Sequence, residues 1–335
     1  MISQSSNCAS HSFEDRNPPF PNAAIDVGAN TLRLLVGCVD KGRLIRISAE
    51  RVVTRLGGDI PHKGMLSEDS IEKSIRSLMQ FKASIEKYGA HNTIAVGTSA
   101  LRDAGNSRDF IEAVKARTGI SIHIVSGEKE AELTVLGLLG NCPELSMPAF
   151  ITDIGGGSTE WILCDSASTI AAKSSLQIGA IRLHQQFVNS DPPAPVEIKN
   201  IKKAIFESVI QSFLISGINS GINAGEIKSF VATGGTATTV AAIDMGLDTY
   251  DAESIHLHTI SFNALKALLE HLLSTPLRER TIVKGLEPER ADIIIPGIII
   301  LLTLMEILKT DAITVSDYGL LEGILLNPKE LYRSA

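Results

Sequence analysis

The chain has 335 residues, a formal net charge of −7, 44% hydrophobic residues and only 4% aromatic residues. This length exceeds the usual size of one hydrophobic core, so we expect two globular domains rather than one. The acidic balance and the scarcity of aromatics exclude a broad basic surface or a stacking platform for nucleic acid. A polyanion can still bind through backbone N–H groups, a few arginines and a metal ion.

The N-terminal segment Met1–Asn22 is polar and lacks the basic start and apolar core of a signal peptide, so we predict a flexible tail. The apolar run Ile293–Met305 is too short to span about 30 Å of hydrocarbon, and it predicts a buried helix with Pro296 in its first turn. Free thiols are expected at the four cysteines, which share no CxxC spacing: Cys8, Cys38, Cys142 and Cys164. We therefore expect a cytoplasmic protein with no membrane partner.

The first half of the chain alternates short apolar strands with amphipathic helices. A hairpin is predicted where the turn Asp40-Lys41-Gly42 joins two strands. Ser67 is the expected N-cap of a long helix with apolar residues on one face. In chain order the predicted elements are the strands Ala23–Val27, Leu32–Val39 and Leu44–Arg51, the helix Ser67–Lys87, the strand Thr93–Val96, the helix Ser107–Arg117, the strand Ser121–Val125 and a helix that begins near Gly127.

The same order of elements then begins again. The predicted elements are the strands Phe150–Asp153, Glu160–Cys164 and Ile170–Ser175, helices from Val196 onward, and the strand Ser229–Ala232. The two starts, at Asp26 and Asp153, are 127 residues apart (153 minus 26). No short repeat accompanies them, so the sequence predicts a duplication at the scale of a domain.

Two glycine-rich segments each follow an apolar strand and begin with aspartate. They read Asp26-Val27-Gly28-Ala29-Asn30-Thr31 and Asp153-Ile154-Gly155-Gly156-Gly157-Ser158-Thr159-Glu160. Glycine lets backbone N–H groups approach phosphate oxygens, and the hydroxyl side chains add donors. A dinucleotide-binding loop leads from a strand into a helix, whereas each of these loops leads into another strand. The pattern therefore predicts a pair of phosphate-binding hairpins.

Five further motifs follow in order: Gly97-Thr98-Ser99-Ala100-Leu101-Arg102-Asp103-Ala104, Ser126-Gly127-Glu128-Lys129-Glu130-Ala131, Ala232-Thr233-Gly234-Gly235-Thr236, Gly285-Leu286 through Pro296-Gly297, and Ser316-Asp317-Tyr318-Gly319-Leu320-Leu321-Glu322-Gly323. With the two hairpins they resemble the exopolyphosphatase / guanosine pentaphosphate phosphohydrolase (Ppx/GppA) family, of the short two-domain type, in the actin-like ATPase and sugar kinase superfamily. The resemblance implies a duplicated ribonuclease-H-like α/β fold with two lobes and a cleft between them. The implied lobes are residues 23–133, together with a last helix at about 321–335, and residues 134–320.

The resemblance also assigns functions to individual residues. Glu130 matches the family's catalytic glutamate, which is expected to accept a proton from the attacking water. Asp153 is the expected ligand of Mg²⁺ or another divalent cation, and Glu160 is expected to reach the same ion. Phosphate is expected to contact the two hairpins and residues near them: Asp26, Gly28, Asn30, Thr31, Arg33, Ser99, Arg102, Gly155, Gly156, Gly157, Ser158, Thr159, Gly234 and Gly235.

Some of these residues keep two interpretations. Gly234-Gly235 either contacts the phosphate chain or packs tightly against its surroundings. Asp317 either faces the cleft or caps the following helix. Arg55 is a weaker candidate for a phosphate ligand.

Glu128 is a candidate neighbour of metal or substrate, although helical geometry turns it away from Glu130. His256 and His258 alternate as on a strand, and we expect them to be surface or hydrogen-bonded histidines rather than metal ligands.

The resemblance implies release of terminal orthophosphate from inorganic polyphosphate, from guanosine pentaphosphate (pppGpp) or from both, and a homodimer is the expected assembly. The two substrates present the same phosphoanhydride bond, so the sequence does not separate them. The alternatives are an ATP-dependent kinase of the same fold, and a sensor that binds polyphosphate or alarmone with weak turnover. Glu130 argues against the kinase, which transfers its phosphoryl group to a hydroxyl rather than to water.

Overall fold

The computed structural model describes residues 20–142, 145–166, 169–218 and 227–328. Residues 1–19 of the predicted tail, including Cys8, and residues 329–335 of the predicted last helix lie outside the described residues. Asn22, which we expected in the tail, instead begins the first strand.

The first lobe contains β1 (Asn22–Val27), β2 (Thr31–Asp40), β3 (Arg43–Val53), β4 (Asn92–Gly97) and β5 (Ile122–Ile124), with α1 (Ile60–Lys63), α2 (Glu68–Lys87), α3 (Ser99–Asp103) and α4 (Ser107–Thr118). The sheet order is β3-β2-β1-β4-β5. Lys41 and Gly42, at φ of 49° and 80°, form the predicted turn between β2 and β3. Ser67 caps α2 by accepting a hydrogen bond from the Ser70 N–H, as its sequence position predicts.

The second lobe contains β6 (Ala149–Ile154), β7 (Thr159–Ser166), β8 (Thr169–Leu176), β9 (Ser229–Thr233), β10 (Thr259–Ser261) and β11 (Ala312–Val315). Its helices are α6 (Ala180–Phe187), α7 (Pro195–Ile215), α8 (Gly234–Asp244), α9 (Ala252–Ile255), α10 (Phe262–Ser274), α11 (Leu277–Arg280) and α12 (Ile294–Leu308). The sheet order β10-β11-β9-β6-β7-β8 repeats that of the first lobe and adds β10 at the edge. In both lobes the first strand pairs antiparallel with the second and parallel with the fourth, which confirms the predicted duplication.

Helix α12 forms the centre of the second core. Its residues are almost all buried, and Pro296 lies in the first turn, where its missing N–H breaks no helical hydrogen bond. This position confirms the predicted core helix. Within the described ranges, no helix is both long and apolar enough to cross a membrane.

Two helices connect the lobes. Helix α5 (Gly127–Leu139) packs through Val135 and Leu138 on the second sheet, and through Leu133 on α13 (Leu320–Leu326). Helix α13 in turn lies on β1 and β2 of the first sheet. The expected lobe boundary at residue 133 therefore falls inside α5, a single helix that contacts both lobes.

The prediction of helices from Val196 onward missed α6, which begins at Ala180. This helix has only 8 residues and starts where the Ala180 and Ile181 N–H groups donate to the Gly155 and Gly156 carbonyls. Such distant partners leave no local signal in the sequence. The expected strand at His256 and His258 is also wrong, because Leu257 between them has a φ of 67°.

Candidate active site

The first hairpin loop joins β1 to β2 at the cleft. The Gly28 N–H donates to the Thr31 carbonyl at 3.2 Å and closes the loop. Asp26 and Arg33 face each other across the antiparallel pair. The Arg33 guanidinium binds Asp26 Oδ2 through both Nε, at 2.9 Å, and Nη2, at 2.8 Å. The strand register therefore gives the buried aspartate of this loop a cationic partner.

The second hairpin loop joins β6 to β7 in the equivalent position. The Gly155 N–H donates to the Ser158 carbonyl at 3.0 Å, which closes this loop in the same way. Here the register places Asp153 opposite Glu160, so an acid faces an acid. Glu160 accepts a hydrogen bond from Ser175 Oγ at 2.7 Å.

The two loops line one cleft of about 620 Å³ between the lobes. Fourteen of the seventeen predicted site residues contribute to its wall, as follows: Asp26, Gly28, Asn30, Thr31, Arg33, Ser99, Glu130, Asp153, Gly155, Gly156, Ser158, Glu160, Gly234 and Gly235. The sequence motifs, spread over more than half of the chain, thus converge on one site.

The other three predicted residues, Arg102, Gly157 and Thr159, do not contribute to this wall. The Thr159 hydroxyl donates to the Ile178 carbonyl at 2.7 Å, so it is engaged within the second lobe. The Gly157 carbonyl accepts from Arg182 Nε at 2.9 Å. Arg102 donates to Glu130 at 2.8 Å, so it contacts the expected base rather than the cleft itself. The phosphate contacts expected for these three residues stay predictions, and the Thr159 hydroxyl already has a partner in its own lobe.

Glu130 reaches the cleft from the first turn of α5. Its side chain is buried, and Arg102 Nη1 donates to its Oε2 at 2.8 Å and to the Val125 carbonyl at 2.9 Å. Burial, followed by the charge of Glu160, raises the pKa of Glu130 well above its ordinary value, against the opposing effect of Arg102.

Glu128 points away from the cleft, toward Lys173 on β8. Its side chain is 72% exposed, and its Oε2 lies 4.0 Å from Lys173 Nζ. The expected contact of Glu128 with metal or substrate is therefore not supported, because the helix turns it to the opposite face.

The cleft carries more negative than positive charge. Its acidic side chains are Asp26, Glu130, Asp153 and Glu160, and its basic side chains are Arg33 and Arg290. Burial, together with the charge of Asp153, raises the pKa of Glu160 to about 7. Burial also raises the pKa of Asp153, against the opposing charge of Arg33. Asp153 and Glu160 are buried and face each other across the hairpin. Buried carboxylates in such an arrangement favour either protonation of one of them or a bound cation.

The carboxylates of the cleft suit a divalent cation whose remaining ligands are oxygens of the substrate. Among the described residues, no three His, Cys, Asp or Glu side chains are grouped closely enough to hold a metal ion alone. Mg²⁺ usually binds through one or two carboxylates, water and substrate phosphates, so Asp153 and Glu160 fit it. Asp26 Oδ1 is buried without a hydrogen-bond partner among the described residues, and it adds a further unused acceptor nearby.

Gly234 and Gly235 pack tightly, as one of their two interpretations expects, and they also line the cleft, while their contact with phosphate stays a prediction. Gly234 has a φ of 85°, and a Cβ there would lie 2.2 Å from Asp153 Oδ1. At Gly235 a Cβ would lie 2.3 Å from Arg290 Nη1. Glycine is required because two charged side chains pack directly on this backbone.

Arg290 is a cleft residue that the sequence did not single out. It ends a 3₁₀ turn (Pro288–Arg290), donates from Nε to Glu287 at 2.7 Å and from Nη2 to Thr31 Oγ1 at 3.2 Å. Burial lowers the pKa of the Arg290 guanidinium, and the charge of Glu287 offsets this effect only in part. It lies within the motif that begins at Gly285, yet no local pattern distinguishes it from a surface arginine.

Asp317 and Arg55 take part in other contacts. Asp317 accepts from Arg46 Nη1 at 2.7 Å and lines a second cavity of about 820 Å³, which shares Arg33 and Arg290 with the cleft. It does not cap α13 among the described contacts, because the Gly319 N–H donates to Glu322 instead. Arg55 binds Asp292 rather than the cleft wall.

Two hairpins that each begin with aspartate lie at the same place in a duplicated sheet and line one cleft, and this arrangement defines an actin-like two-domain fold. Comparison with known sequences is more specific. The model of the Ppx/GppA phosphatase family matches residues 35–330, so the chain belongs to this family.

Individual relatives agree with this assignment. Exopolyphosphatase 2 of Mycobacterium tuberculosis (strain ATCC 25618 / H37Rv) is 29% identical over 319 residues, which cover 91% of this chain and 97% of the relative. The crystal structure of the Aquifex aeolicus Ppx/GppA family member has a TM-score of 0.76 at 29% identity, covering 95% of this chain and 99% of that one. An exopolyphosphatase from Cytophaga hutchinsonii ATCC 33406 has a TM-score of 0.83 at 26% identity, covering 93% and 98%.

Proposed function

We propose that the protein is a phosphohydrolase that releases terminal orthophosphate from inorganic polyphosphate, from guanosine pentaphosphate or from both. The observation that carries the proposal is the position of Glu130, a buried carboxylate at the cleft between two phosphate-type hairpins. The similarity to exopolyphosphatases over most of the chain supports the same reaction class.

Glu130 would act as the general base. A water oxygen adds to the terminal phosphorus, the phosphoanhydride bond to the next phosphate breaks, and the water proton passes to the Glu130 carboxylate. Arg102 holds the orientation of this carboxylate through the 2.8 Å hydrogen bond, and its charge opposes the rise of the Glu130 pKa and so favours the ionised form that a base needs. The shortened phosphate chain leaves with the electrons of the broken bond.

Arginines and hydroxyl groups would hold the phosphates in line for this attack. Arg33 and Arg290 carry the positive charge of the cleft wall, and Thr31, Ser99 and Ser158 supply hydroxyl groups. Phosphoryl transfer depends largely on positioning and on neutralising the charge of the transferring group. Mg²⁺ held by Asp153 and Glu160 would neutralise charge on the phosphate oxygens when bound.

The second cavity would receive the part of the substrate that does not react. It continues from the cleft past Arg33 and Arg290, and its wall includes both charged groups and the Tyr250 ring. Either more phosphates or a nucleoside can occupy such a mixed surface, so the two substrates remain alternatives.

Phosphate release from a panel of substrates tests the proposal. Long polyphosphate, short polyphosphate and guanosine pentaphosphate are each incubated with the protein and Mg²⁺, and orthophosphate is measured over time. Release from at least one of them without any added acceptor is expected. Turnover only with ATP and a hydroxyl acceptor would support a kinase instead, and binding without release would support a sensor.

A further inference from the structure

Residues 287–292, here called the 287–292 turn, belong to the second lobe and contact the first lobe, and Arg290 within this turn lines the cleft. Arg55 binds this turn with a bidentate pair, from Nη1 to Asp292 Oδ2 and from Nη2 to Asp292 Oδ1, both at 2.8 Å. Arg55 Nη2 also donates to the Glu289 carbonyl at 2.8 Å. A guanidinium with three such bonds fixes both the distance and the angle of the turn.

The backbone of Arg55 is held in an unusual conformation. Its φ is 54°, in the left-handed region that residues with a Cβ seldom adopt. Its N–H donates to the Asn30 carbonyl at 2.9 Å, and its own carbonyl accepts from the Gly58 N–H at 2.9 Å. Strain of this kind persists where the surrounding structure imposes it and frequently marks functional positions. The Arg55 backbone therefore binds the first hairpin loop at Asn30, while the Arg55 side chain binds the second lobe at Asp292.

A second connection supports the same turn beside Arg290. Glu287 bridges two arginines, with Oε1 2.5 Å from Arg51 Nη2 and Oε2 2.7 Å from Arg290 Nε. The Arg51 guanidinium also lies over the Tyr250 ring, 3.7 Å from its centroid. Arg290 is therefore held directly by its ion pair with Glu287. It is also held indirectly, because Arg55 binds Glu289 and Asp292, which lie one residue before and two residues after it.

We propose that Arg55 is a positioning residue, which holds the 287–292 turn so that Arg290 reaches the phosphate in the cleft. This inference rests on the proposed function, because Arg290 must contact the substrate. Arg55 itself lies outside the cleft wall, and its side chain is 45% exposed. An ion pair so exposed contributes little to stability, so its geometry matters more than its strength.

Other contacts keep the lobes together when Arg55 is changed. Gln185 donates to the Gly58 carbonyl, and Arg182 pairs with Asp103, so two further contacts join α6 to the first lobe. Loss of Arg55 should therefore leave the lobes joined and affect the turn alone.

A double-mutant cycle tests the proposal with Arg55→Ala, Arg290→Ala and the double variant. Arg55→Ala is expected to lower kcat and kcat/KM for phosphate release by about 10- to 100-fold, since a small displacement of a positioning group has effects of this size. In the Arg290→Ala background the same change is expected to have less than about a 2-fold effect, because Arg55 acts through Arg290. Effects that multiply would overturn the proposal.

Further variants separate geometry from charge and folding. Arg55→Lys keeps the charge without the bidentate fork and is expected to resemble Arg55→Ala. Asp292→Ala removes both carboxylate acceptors of the Arg55 clamp from the other lobe and leaves the strained backbone unchanged, so it should give a similar loss of rate. Arg108→Ala, which breaks the exposed Arg108–Glu112 pair, is the matched control and should leave kcat unchanged.

The Kd for inorganic tripolyphosphate is also measured by calorimetry for the same four proteins, which gives a second double-mutant cycle that does not depend on turnover. If the wild type binds tripolyphosphate but releases no phosphate from any substrate, the proposed function fails, while a non-additive cycle in Kd still supports the role of Arg55. An additive cycle in Kd alongside normal turnover rejects the role of Arg55 and leaves the proposed function standing. A wild type that neither binds nor hydrolyses rejects both.

Discussion

The two hairpin loops occupy the same place in the two lobes, yet their charges differ. In the first loop the strand register sets Asp26 opposite Arg33, and in the second it sets Asp153 opposite Glu160. Asp26 is therefore paired with a cation across the hairpin, whereas Asp153 faces another carboxylate. We therefore propose that the first loop binds phosphate and that the second loop binds the cation, although the two occupy equivalent places in the duplicated fold.

Asp153→Asn is expected to have the larger effect of the two equivalent substitutions. It removes the expected ligand of Mg²⁺, so the rate of phosphate release at fixed Mg²⁺ should fall by about 100-fold. Raising the Mg²⁺ concentration should recover part of the loss. A defect that no Mg²⁺ concentration changes would show that Asp153 has another function.

Asp26→Asn is expected to act on the substrate rather than on the metal. It weakens the 2.8 Å contact that orients Arg33, so KM should rise by about 10-fold. The Mg²⁺ dependence of the rate should match that of the wild type. A shifted Mg²⁺ curve would mean that both loops bind the cation and that their difference in charge has no functional meaning.

Stability of the metal-free protein should fall as the pH rises. Glu160 has a pKa of about 7 in the fold against 4.5 as its ordinary value, so the folded protein binds the additional proton between these pH values. The stabilisation is complete below pH 4.5 and is lost as the pH rises through about 7, and it amounts to roughly 3 kcal/mol. Thermal unfolding in EDTA measures this, and Glu160→Gln should flatten the slope. An unchanged slope in that variant would refute the assignment to Glu160.

The smallest effects are expected at Thr31 and Thr159, which begin the second strand of each hairpin. Thr159→Val removes the hydrogen bond to the Ile178 carbonyl and should cost about 1 kcal/mol in the free energy of unfolding, with activity within about 2-fold of the wild type. Thr31→Val removes the acceptor of Arg290 and should lower activity more than stability. Chemical denaturation and phosphate release distinguish the two, and equal losses of activity would contradict their different positions.

The sequence predicted the hairpins and the duplication because both depend on local pattern. Apolar strands followed by aspartate and glycine locate the loops, and a loop between paired strands brings Asp153 opposite Glu160 without knowledge of the rest of the fold. The family motifs then added Glu130, which no periodicity identifies. These features account for most of the cleft wall.

The features that the sequence missed depend on contacts between distant segments. Arg290 binds Thr31 from 259 positions away, and Arg55 binds Asp292 from 237 positions away. Thr159 matched a phosphate-binding motif, but a carbonyl in its own lobe takes its hydroxyl. The direction of a side chain at such positions is decided by the packing of the two lobes, which a single sequence does not reveal.

The most direct test of the proposed reaction compares Glu130→Gln with Glu128→Gln. Both changes lie in the first turn of α5 and remove one carboxylate, but Glu130 faces the cleft and Glu128 faces solvent. With the substrate that the wild type hydrolyses, Glu130→Gln should lower kcat for phosphate release by about 10²- to 10⁴-fold, and Glu128→Gln should leave it within about 2-fold. Equal rates for the wild type and Glu130→Gln would contradict the assignment of Glu130 as the base.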